Sequence, residues 1–329
     1  MSWEPEEEPI DVVYTWVDGS QADFQEQLRH FRKLECCDNH ECVGENRFYD
    51  NEELRFSLRS LERYAPWVRN VYIVTNDQVP HWLVTSHPRL TLVSQKSLFS
   101  YSDWLPTFNS HAIEWQLSRI PGLAGRFLYF NDDMFLGRPV ARSDFLTASG
   151  GQSVYLDLWD ISSLPDRTTV TECAVSFAQA LLHARFGTTS PRKKIAHVPG
   201  IYDRAILEEI ERIWPDEIGK MASHRFRRPD DVALAGLYCH YLLEAPEQVG
   251  CHEAIQLSRV NRLYRFVMLK ASLRKAVGQL LGVVRHRPVF FCLNDDLGCE
   301  HRKTNWLVRK IVRSFLRCYF PGASSFEKR

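Results

Sequence analysis

Two Asn-Asp-Asp triplets are the residues of this sequence best suited to chemistry on phosphate groups. One occupies 131–133, directly after the apolar run 126–130, and the other occupies 294–296, directly after the apolar run 289–293. Adjacent carboxylates after a buried strand suit Mg²⁺ or Mn²⁺, because hard cations prefer oxygen ligands. The repeated pattern predicts a single divalent-metal site to which both triplets contribute. Two unrelated turns are the structural alternative.

A segment rich in arginine and histidine lies between the triplets. Residues 223–231 contain His224, three arginines and two aspartates, and His197 follows the lysine pair at 193–194. Guanidinium forks suit phosphate oxygens, and a histidine can accept a hydroxyl proton near neutral pH. Together with a carboxylate-bound metal, these groups predict phosphoryl transfer. The structural alternative is that Asp230 or Asp231 caps the helix that follows.

Other nucleotide chemistries lack their motifs in this sequence. Neither GxxxxGK[ST] nor GxGxxG occurs, which argues against a P-loop or dinucleotide-binding enzyme. No compact aromatic and basic module indicates nucleic-acid recognition. We therefore expect no nucleic-acid partner.

The formal charge of the chain is zero, but it is unevenly distributed. The chain has 41 basic and 41 acidic residues, of which residues 254–326 contain 14 basic and three acidic ones. Such asymmetry can mark a surface for anionic partners; the alternative is a basic face that neutralises the acidic part of the same fold. An anionic nucleotide-sugar, an anionic phosphoglycan and the inner membrane surface all fit this region, with Arg259, Arg262 and Arg265 as candidates for a peripheral membrane contact.

The cysteines and the apolar pattern bear on the compartment. Nine cysteines is an odd number, which favours a reducing compartment. The first residues are acidic, so no secretory signal is predicted, and no run of about 18 apolar residues predicts a membrane span. We expect a cytoplasmic protein, soluble or peripheral at the inner face of the membrane. Cys36, Cys37, His40 and Cys42 are a candidate zinc cluster, with a loop of ordinary or redox-sensitive thiols as the alternative.

The elements that must position these residues follow an alternating pattern. Strands are predicted at 10–17, 70–75, 89–93 and 126–130, and helices between Asn51 and Pro66 and at 110–120, 171–186, 203–214, 231–243 and 303–319. In the last helix, Leu307, Ile311 and Phe315 are the predicted buried stripe. Alternation of strands and helices predicts a parallel α/β sheet, which binds ligands at the carboxyl ends of its strands.

In four ordered blocks the sequence resembles the Stealth proteins. The first block is Asp-Val-Val-Tyr-Thr-Trp-Val-Asp-Gly at 11–19. The second runs from Asp-Asn-Glu-Glu-Leu-Arg at 50–55 through Ile-Val-Thr-Asn at 73–76 and Leu-Pro-Thr-Phe-Asn-Ser-His-Ala-Ile-Glu at 105–114 to Phe-Asn-Asp-Asp at 130–133. The third runs from His-Val-Pro at 197–199 to Asp231, and the fourth from Cys-Leu-Asn-Asp-Asp at 292–296 through Phe-Pro at 320–321.

This family comprises microbial capsular or cell-wall polysaccharide hexose-1-phosphate transferases and the catalytic part of lysosomal-enzyme N-acetylglucosamine-1-phosphotransferase. The resemblance implies transfer of a sugar-1-phosphate, with N-acetylglucosamine-1-phosphate expected, from a UDP-sugar to a glycan hydroxyl. UMP would leave, a phosphodiester would form, and Mg²⁺ or Mn²⁺ would be the cofactor. An ordinary glycosyltransferase that releases UDP is the alternative function, and a non-catalytic glycan-binding protein is a third.

The resemblance also implies a fold and a set of site residues. We predict an α/β, Rossmann-like and GT-A-like, mainly parallel sheet core with helical elaborations in the C-terminal half. The expected organisation is one catalytic domain over 1–329, with a nucleotide-sugar-binding part at 10–135 and a helix-rich part at 136–329 that completes the active site. Asp132, Asp133, His197 and Arg227 match residues that the family needs for activity, and Asp133, Asn294 and Asp296 are the implied metal ligands. The implied substrate contacts are Trp16, Asp18, Gly19, Arg55, Asn76, Asn109, His111, His224 and Arg225.

Overall fold

The strand predicted first in the chain lies at the centre of the main sheet. The computed structural model describes residues 8–161, 169–188, 190–257, 263–298 and 300–328. Its strands are β1 (Ile10–Thr15), β2 (Val71–Thr75), β3 (Leu90–Ser94), β4 (Arg126–Asn131), β5 (Met134–Leu136), β6 (Ser153–Asp160), β7 (Lys193–Ile195), β8 (Gly200–Asp203), β9 (Glu253–Gln256), β10 (Tyr264–Leu269) and β11 (Phe290–Asp295). The main sheet has the order β3-β2-β1-β4-β8, in which β1 to β4 pair in parallel and β8 pairs antiparallel to β4. The predicted α/β fold with a mainly parallel sheet is confirmed.

Two smaller sheets adjoin the main one. In one, β10 and β11 pair in parallel and β11 pairs antiparallel to β5. In the other, β6 pairs with β7 and with β9. Because β4 and β5 belong to different sheets and only two residues separate them, the first Asn-Asp-Asp triplet crosses from the main sheet to the β11 sheet.

The helices cover both faces of the main sheet. They are α1 (Ala22–Leu34), α2 (His40–Val43), α3 (Glu53–Tyr64), α4 (Ser110–Glu114), α5 (Val170–Phe186), α6 (Arg204–Ile213), α7 (Pro215–Ala222), α8 (Leu234–Glu244), α9 (Leu273–His286) and α10 (Arg302–Tyr319). Alternate residues of a strand point to opposite faces. Val12 and Tyr14 accordingly pack in a cluster with residues of α3, α9 and α10, and Val13 packs with residues of α4 to α8.

Three helices differ from the sequence-based prediction. The helix predicted at 110–120 ends at Glu114, and a 3-10 turn follows at Leu117–Arg119. Asn51 does not cap α3, because its buried amide donates to the Glu53 carboxylate instead. In α10 the fully buried side chains are Val308, Val312 and Leu316, so the predicted stripe was wrong by one residue. Ile311 and Phe315 only border the core, and Leu307 is exposed.

Among the helices in the ranges given above, none is both long enough and apolar enough to cross a membrane.

Candidate active site

The first triplet places Asp133 at the junction of the two sheets. Asp133 Oδ1 lies 3.8 Å from Nε2 of His197, and the Cys292 thiol donates to Asp133 Oδ2 at 3.1 Å. The backbone amide of Leu293 donates to the Asp133 carbonyl at 3.0 Å, which fixes β11 beside the turn. Asp133, His197 and Cys292 present ligand atoms that all lie within 4.8 Å of one another. The structure therefore brings together two predicted catalytic residues that are 64 positions apart in the chain.

The two adjacent aspartates have opposite pKa shifts. Burial raises the pKa of Asp132 well above its usual value, and the negative charge of Asp133 raises it further. Burial also acts to raise the pKa of Asp133, but its interactions with the His197 ring and the Cys292 thiol outweigh burial and lower that pKa. Neighbouring carboxylates whose environments separate their pKa values suit different roles. Of the two carboxyl groups, Asp133 is therefore the one that ionises more readily.

The second triplet reaches this junction only in part. On a strand alternate residues share a face, so Asn294 lies on the same face as Cys292. Asp295 points elsewhere, accepting from Arg309 at 3.3 Å and from the Asn51 amide at 3.4 Å. Asp296 is exposed, with its carboxylate 3.8 Å from the Lys270 ammonium group. The assignment of Asn294 and Asp296 as metal ligands stays a prediction.

One buried carboxylate oxygen at the junction is available to a divalent ion. Asp133 Oδ1 is buried and has no hydrogen-bond partner, and such an orphaned oxygen is available for coordination. Burial raises the pKa of the Cys292 thiol well above its usual value, so the thiol remains a hydrogen-bond donor and a poor ligand. These features are compatible with a divalent ion at Asp133 and argue against a thiolate ligand at Cys292.

Further acids near the junction were not predicted as site residues. Burial and the charges of Asp18 and Glu52 raise the pKa of Asp50 to about 6, even though its carboxylate accepts from the Glu52 amide. Burial and the charges of Asp50 and Asp132 raise the pKa of Glu53 well above its usual value. The acid-rich run at 50–53 has the pattern of a helix start, so the sequence alone does not indicate that its carboxylates lie near Asp132.

The hydrogen-bond partners of the Arg227 side chain are hydroxyl groups. Its two terminal nitrogens donate to Thr171 Oγ1 at 3.1 Å and to Ser110 Oγ at 2.5 Å. Its Nε is buried without a hydrogen-bond partner. Arg47, which the sequence analysis missed, lies close enough that burial and the positive charge of Arg227 lower its pKa to about 9. Two neighbouring guanidinium groups, one of them with a buried donor that has no partner, suit an anion such as phosphate.

Three predicted substrate contacts converge instead on one buried carboxylate. Asp231 accepts from the Asn109 amide at 2.8 Å, and its oxygens lie 3.3 Å from His111 Nδ1 and 2.7 Å from His224 Nδ1. Burial acts to raise the pKa of Asp231, but hydrogen bonds to His111 and His224 outweigh burial and lower it to about 2. All four side chains are buried. This network joins the 105–111 loop to the loop that carries Arg227, and the predicted direct contacts of Asn109, His111 and His224 with substrate stay predictions.

Two predicted arginines have structural partners. Arg225 donates to the carbonyl of Asp103 at 2.6 Å and lies over the Phe31 ring at 4.4 Å. Arg55 is bound to the Glu327 carboxylate at 2.5 Å, near the C-terminus of the chain. These contacts hold both side chains in place, and Arg225 Nε, like Arg227 Nε, is buried without a hydrogen-bond partner. The roles of Arg225 and Arg55 in substrate binding stay predictions.

The turn after β1 is shaped by contacts with neighbouring segments. A Cβ on Gly19 would lie 2.5 Å from the carbonyl oxygen of Phe48, so this close approach requires glycine. Gln78 holds Asp18 by bonding both its amide and its carbonyl. Trp16 Nε1 and Asn76 Oδ1, which follow β1 and β2, are buried without hydrogen-bond partners. Unused polar atoms at the carboxyl ends of parallel strands are where such folds bind ligands.

A cavity of about 120 Å³ lies behind His197. Its lining is largely apolar, with Glu114, Tyr129, Asn131 and His197 at its polar side. The Tyr129 hydroxyl lies 3.5 Å from the Glu114 carboxylate. Glu114 belongs to the second block quoted above, but its local pattern indicates no role, because its neighbour Tyr129 is 15 positions away.

The cysteine-rich segment contacts the site through a thiol. Cys42 is buried, and its thiol donates to the Arg227 carbonyl at 3.3 Å. Burial and the nearby Cys37 raise the pKa of Cys42 to about 11, which keeps the thiol protonated. In the described parts of the chain, Cys36, Cys37, His40 and Cys42 do not form a group with three converging metal-ligand atoms.

Sequence comparison identifies relatives over the whole length of the chain. Models of the Stealth protein conserved regions 1, 2, 3 and 4 match residues 8–34, 47–154, 196–244 and 282–329. An exopolysaccharide phosphotransferase of Streptomyces coelicolor is 37% identical over 97% of this chain, which spans about half (52%) of that relative. A capsular polysaccharide phosphotransferase of Haemophilus influenzae is 30% identical over 95% of this chain and 84% of its own length.

Solved structures give a weaker likeness. The galactosyltransferase LgtC in complex with donor and acceptor sugar analogues has a TM-score of 0.45 at 11% identity, over 96% of this chain and 98% of that one. Mouse xyloside xylosyltransferase 1 has a TM-score of 0.40 at 11% identity, over 86% and 97% of the two chains. Because both scores are below 0.5, nothing about the reaction follows from them. The four matched regions, in the order and at the positions of the residues described above, show that the chain belongs to the Stealth protein family.

Proposed function

We propose that this chain transfers a sugar-1-phosphate, with N-acetylglucosamine-1-phosphate as the expected group, from a UDP-sugar to a hydroxyl of a glycan or polysaccharide. The observation that carries the proposal is the junction of the two sheets, where the Asp133 carboxylate faces His197 across 3.8 Å and the three side chains Asp133, His197 and Cys292 converge. Phosphoryl transfer needs groups that position and neutralise phosphates and a base for the hydroxyl. The printed names of the Streptomyces and Haemophilus relatives, both polysaccharide phosphotransferases, agree with this reaction class.

The reaction divides among the residues described above. The glycan hydroxyl oxygen attacks the β-phosphorus, the bond between that phosphorus and the bridging oxygen breaks, and UMP leaves. Nε2 of His197 accepts the hydroxyl proton, since this atom faces the junction. Because the anomeric C–O bond is not broken, the anomeric configuration is retained. Arg227 and Arg47 bind phosphate oxygens, because their guanidinium groups lie close together and Arg227 Nε has no hydrogen-bond partner.

A divalent Mg²⁺ or Mn²⁺ ion would be held by Asp133 together with Asn294 and Asp296. Bound there, it would neutralise charge on the diphosphate. Trp16, Asp18, Gly19 and Asn76 would contact the nucleotide, because their segments follow the carboxyl ends of β1 and β2. In this arrangement the part at 10–135 binds the nucleotide-sugar, and the part at 136–329 supplies His197 and Arg227.

The experiment that tests the reaction class separates UMP from UDP as the product. The protein is incubated with UDP-N-acetylglucosamine and other UDP-sugars, Mg²⁺ and candidate glycans, and the nucleotides are resolved by chromatography. We expect UMP and a phosphodiester-linked sugar, and we expect Asp133→Asn to abolish both. Release of UDP alone would identify an ordinary glycosyltransferase. Glycan binding without release of either nucleotide would identify a non-catalytic binding protein.

We also propose a peripheral contact with the inner membrane surface through the basic C-terminal region. Arg259 and Arg262, two of the predicted contacts, lie outside the described residues. Arg265 lies against Gly282 of α9, where an added Cβ would come within 2.2 Å of its guanidinium group. Helix α9 contains basic residues and no acid, and it exposes Leu273, Val277, Leu281 and Val284. An amphipathic helix of this composition suits an anionic lipid surface.

A further inference from the structure

Two large apolar side chains are exposed next to the candidate active site. On β10, Phe266 and Met268 are 38% and 37% exposed, whereas Val267 and Leu269 are fully buried. This alternation follows from the pleat of the strand, but the exposed face would ordinarily carry polar residues. Exposed apolar groups at the border of a polar site are typical of a ligand-binding surface.

The register of the sheet places these side chains on the active-site face. Phe266 pairs with Cys292 and Met268 pairs with Asn294 in the parallel ladder of β10 and β11. Paired residues in neighbouring strands point to the same side of a sheet. The ring centroid of Phe266 lies 5.9 Å from that of His197, with the rings nearly perpendicular at 79°. The apolar pair therefore borders the proposed base directly.

The position of this surface identifies which substrate it faces. The nucleotide-binding groups follow β1 and β2, whereas Phe266 borders His197, which accepts the proton of the attacking hydroxyl. In phosphoryl transfer the attacking and leaving oxygens lie roughly in line, on opposite sides of the phosphorus. A group on the side of the base therefore contacts the acceptor and not the departing nucleotide.

We infer that Phe266 and Met268 form a platform on which one pyranose ring of the acceptor glycan packs, with a hydroxyl directed at His197. This inference rests on the proposed function. A pyranose presents an apolar C–H face and a rim of hydroxyl groups, which matches two apolar side chains flanked by the polar groups of His197 and Asn294. Two side chains are too small a surface for a stable protein partner, which needs about 800 Å² on each side. The platform is a positioning surface, and His197 remains the residue that touches the reacting hydroxyl.

The test compares acceptor binding and kinetics in Phe266→Ala, Met268→Ala and Phe266→Trp. We expect the KM for the glycan to rise about 10-fold in Phe266→Ala and less in Met268→Ala, because an aromatic contact contributes on this order. In both alanine variants, the Kd for the UDP-sugar is expected to stay within about twofold of the wild-type value. Phe266→Trp is expected to retain the wild-type KM for the glycan, because a tryptophan ring also packs on a sugar. Saturation-transfer NMR of the glycan, which needs no turnover, is expected to lose signal in Phe266→Ala. Val249→Ala is the control, because Val249 is also an exposed apolar side chain but follows α8, outside both proposed binding surfaces.

The outcomes separate this inference from the proposed function. If the wild type releases UMP but the glycan KM and the NMR signal are unchanged in both alanine variants, the platform is wrong. An equal loss of UDP-sugar affinity and glycan affinity would also overturn it, because the role would then be structural. If the wild type releases no UMP, the proposed function fails, and the NMR comparison still decides whether Phe266 binds glycan.

Discussion

At the scale of single residues, His197 combines access to solvent with contact to a carboxylate. Its side chain is 38% exposed and faces Asp133 across 3.8 Å, and the Asn131 amide nitrogen lies 3.5 Å from the same ring nitrogen. A base in this position can receive a proton from substrate while the carboxylate stabilises the resulting charge. We expect His197→Ala to lower kcat for UMP release by about 10²–10⁴-fold.

The measurement is steady-state UMP release together with UDP-sugar binding by calorimetry. Binding is expected to persist in His197→Ala, because the nucleotide contacts lie at β1 and β2. His286→Ala is the control, since His286 is exposed at the end of α9. Wild-type turnover in His197→Ala would transfer the role of base to another group.

Arg227 is expected to require the geometry of a guanidinium group. Its terminal nitrogens each donate to one hydroxyl, of Thr171 or Ser110, and its buried Nε has no hydrogen-bond partner. A lysine keeps the charge but cannot reproduce the planar fork that directs donors at both hydroxyls and at phosphate. We expect Arg227→Lys to lower kcat/KM by about 10- to 100-fold, as the loss of one charged hydrogen bond predicts. Arg228→Lys, at the exposed neighbouring position, is the matched control, and full activity in Arg227→Lys would indicate a packing role.

Residue types and spacing predicted Asp133 and His197, which the structure brings together, but not the hydrogen-bond partners of the other predicted site residues. The Asn-Asp-Asp pattern and His197 were recognised because acids after a buried strand and a histidine near arginines suit phosphate chemistry. Asn109 and His224 were predicted to contact substrate, but both bond Asp231, which is 122 positions from Asn109. Tertiary packing decides which buried carboxylate accepts hydrogen bonds from residues distant in the sequence. The residues next to Asp231 in the sequence do not reveal these partners.

At the scale of elements, Asp231 joins two loops that together present Arg227. The pKa of Asp231 in the folded state is about 2, below its value of about 4 in an unfolded chain. A lowered pKa means that the ionised form stabilises the fold above about pH 4, and that this contribution is lost as the pH falls through about 2. The contribution is about 2 kcal/mol. We expect Asp231→Asn to lower the free energy of unfolding at pH 7 by about this amount.

Urea unfolding of both proteins between pH 7 and pH 3 measures the effect. The difference between wild type and Asp231→Asn is expected to narrow as the pH falls below about 4. Asp230→Asn is the control, because Asp230 forms only an exposed ion pair with Lys220 at 2.7 Å, and such pairs contribute about 0–1 kcal/mol. Equal unfolding free energies of wild type and Asp231→Asn at pH 7 would contradict a stabilising role.

The main sheet was predictable at the level of elements, and the smaller sheets were not. Strands β1, β2 and β4 are runs of buried β-branched and aromatic residues that end at polar turns, which is a strong local signal. Strands β5 and β7 have three residues each, and β9 is largely exposed. Such short strands form because a neighbouring strand pairs with them, and their own residues give little local signal. The contact between Asp133 and Cys292 depends on the pairing of β5 with β11, so the local sequence pattern does not predict it.

At the scale of the whole molecule, the zero net charge conceals a division between an acidic part and a basic part. The basic region is not only a neutralising face, because its strand β11 brings Asn294 and Cys292 to the candidate active site. Its helix α9 presents a different surface, with apolar residues and basic residues exposed along one helix. The basic region therefore contributes to the proposed chemistry through β11 and to the proposed membrane contact through α9.

The membrane contact predicts that apolar and basic residues of α9 act together on anionic lipid. We expect Leu281→Glu to lower binding to vesicles that contain anionic lipid, because Leu281 is 61% exposed on α9 and a buried carboxylate is costly in lipid. Replacing Arg274 or Arg285 is expected to lower vesicle binding about fivefold each, since one basic residue near an anionic surface contributes about 1 kcal/mol.

Co-sedimentation with vesicles at low and high salt measures both effects, because salt screens the charge term and leaves the apolar term. Tyr101→Glu, at an equally exposed position far along the chain, is the matched control. Binding that is unchanged by Leu281→Glu and by both arginine substitutions would exclude α9 as the contact and leave its apolar stripe to another partner.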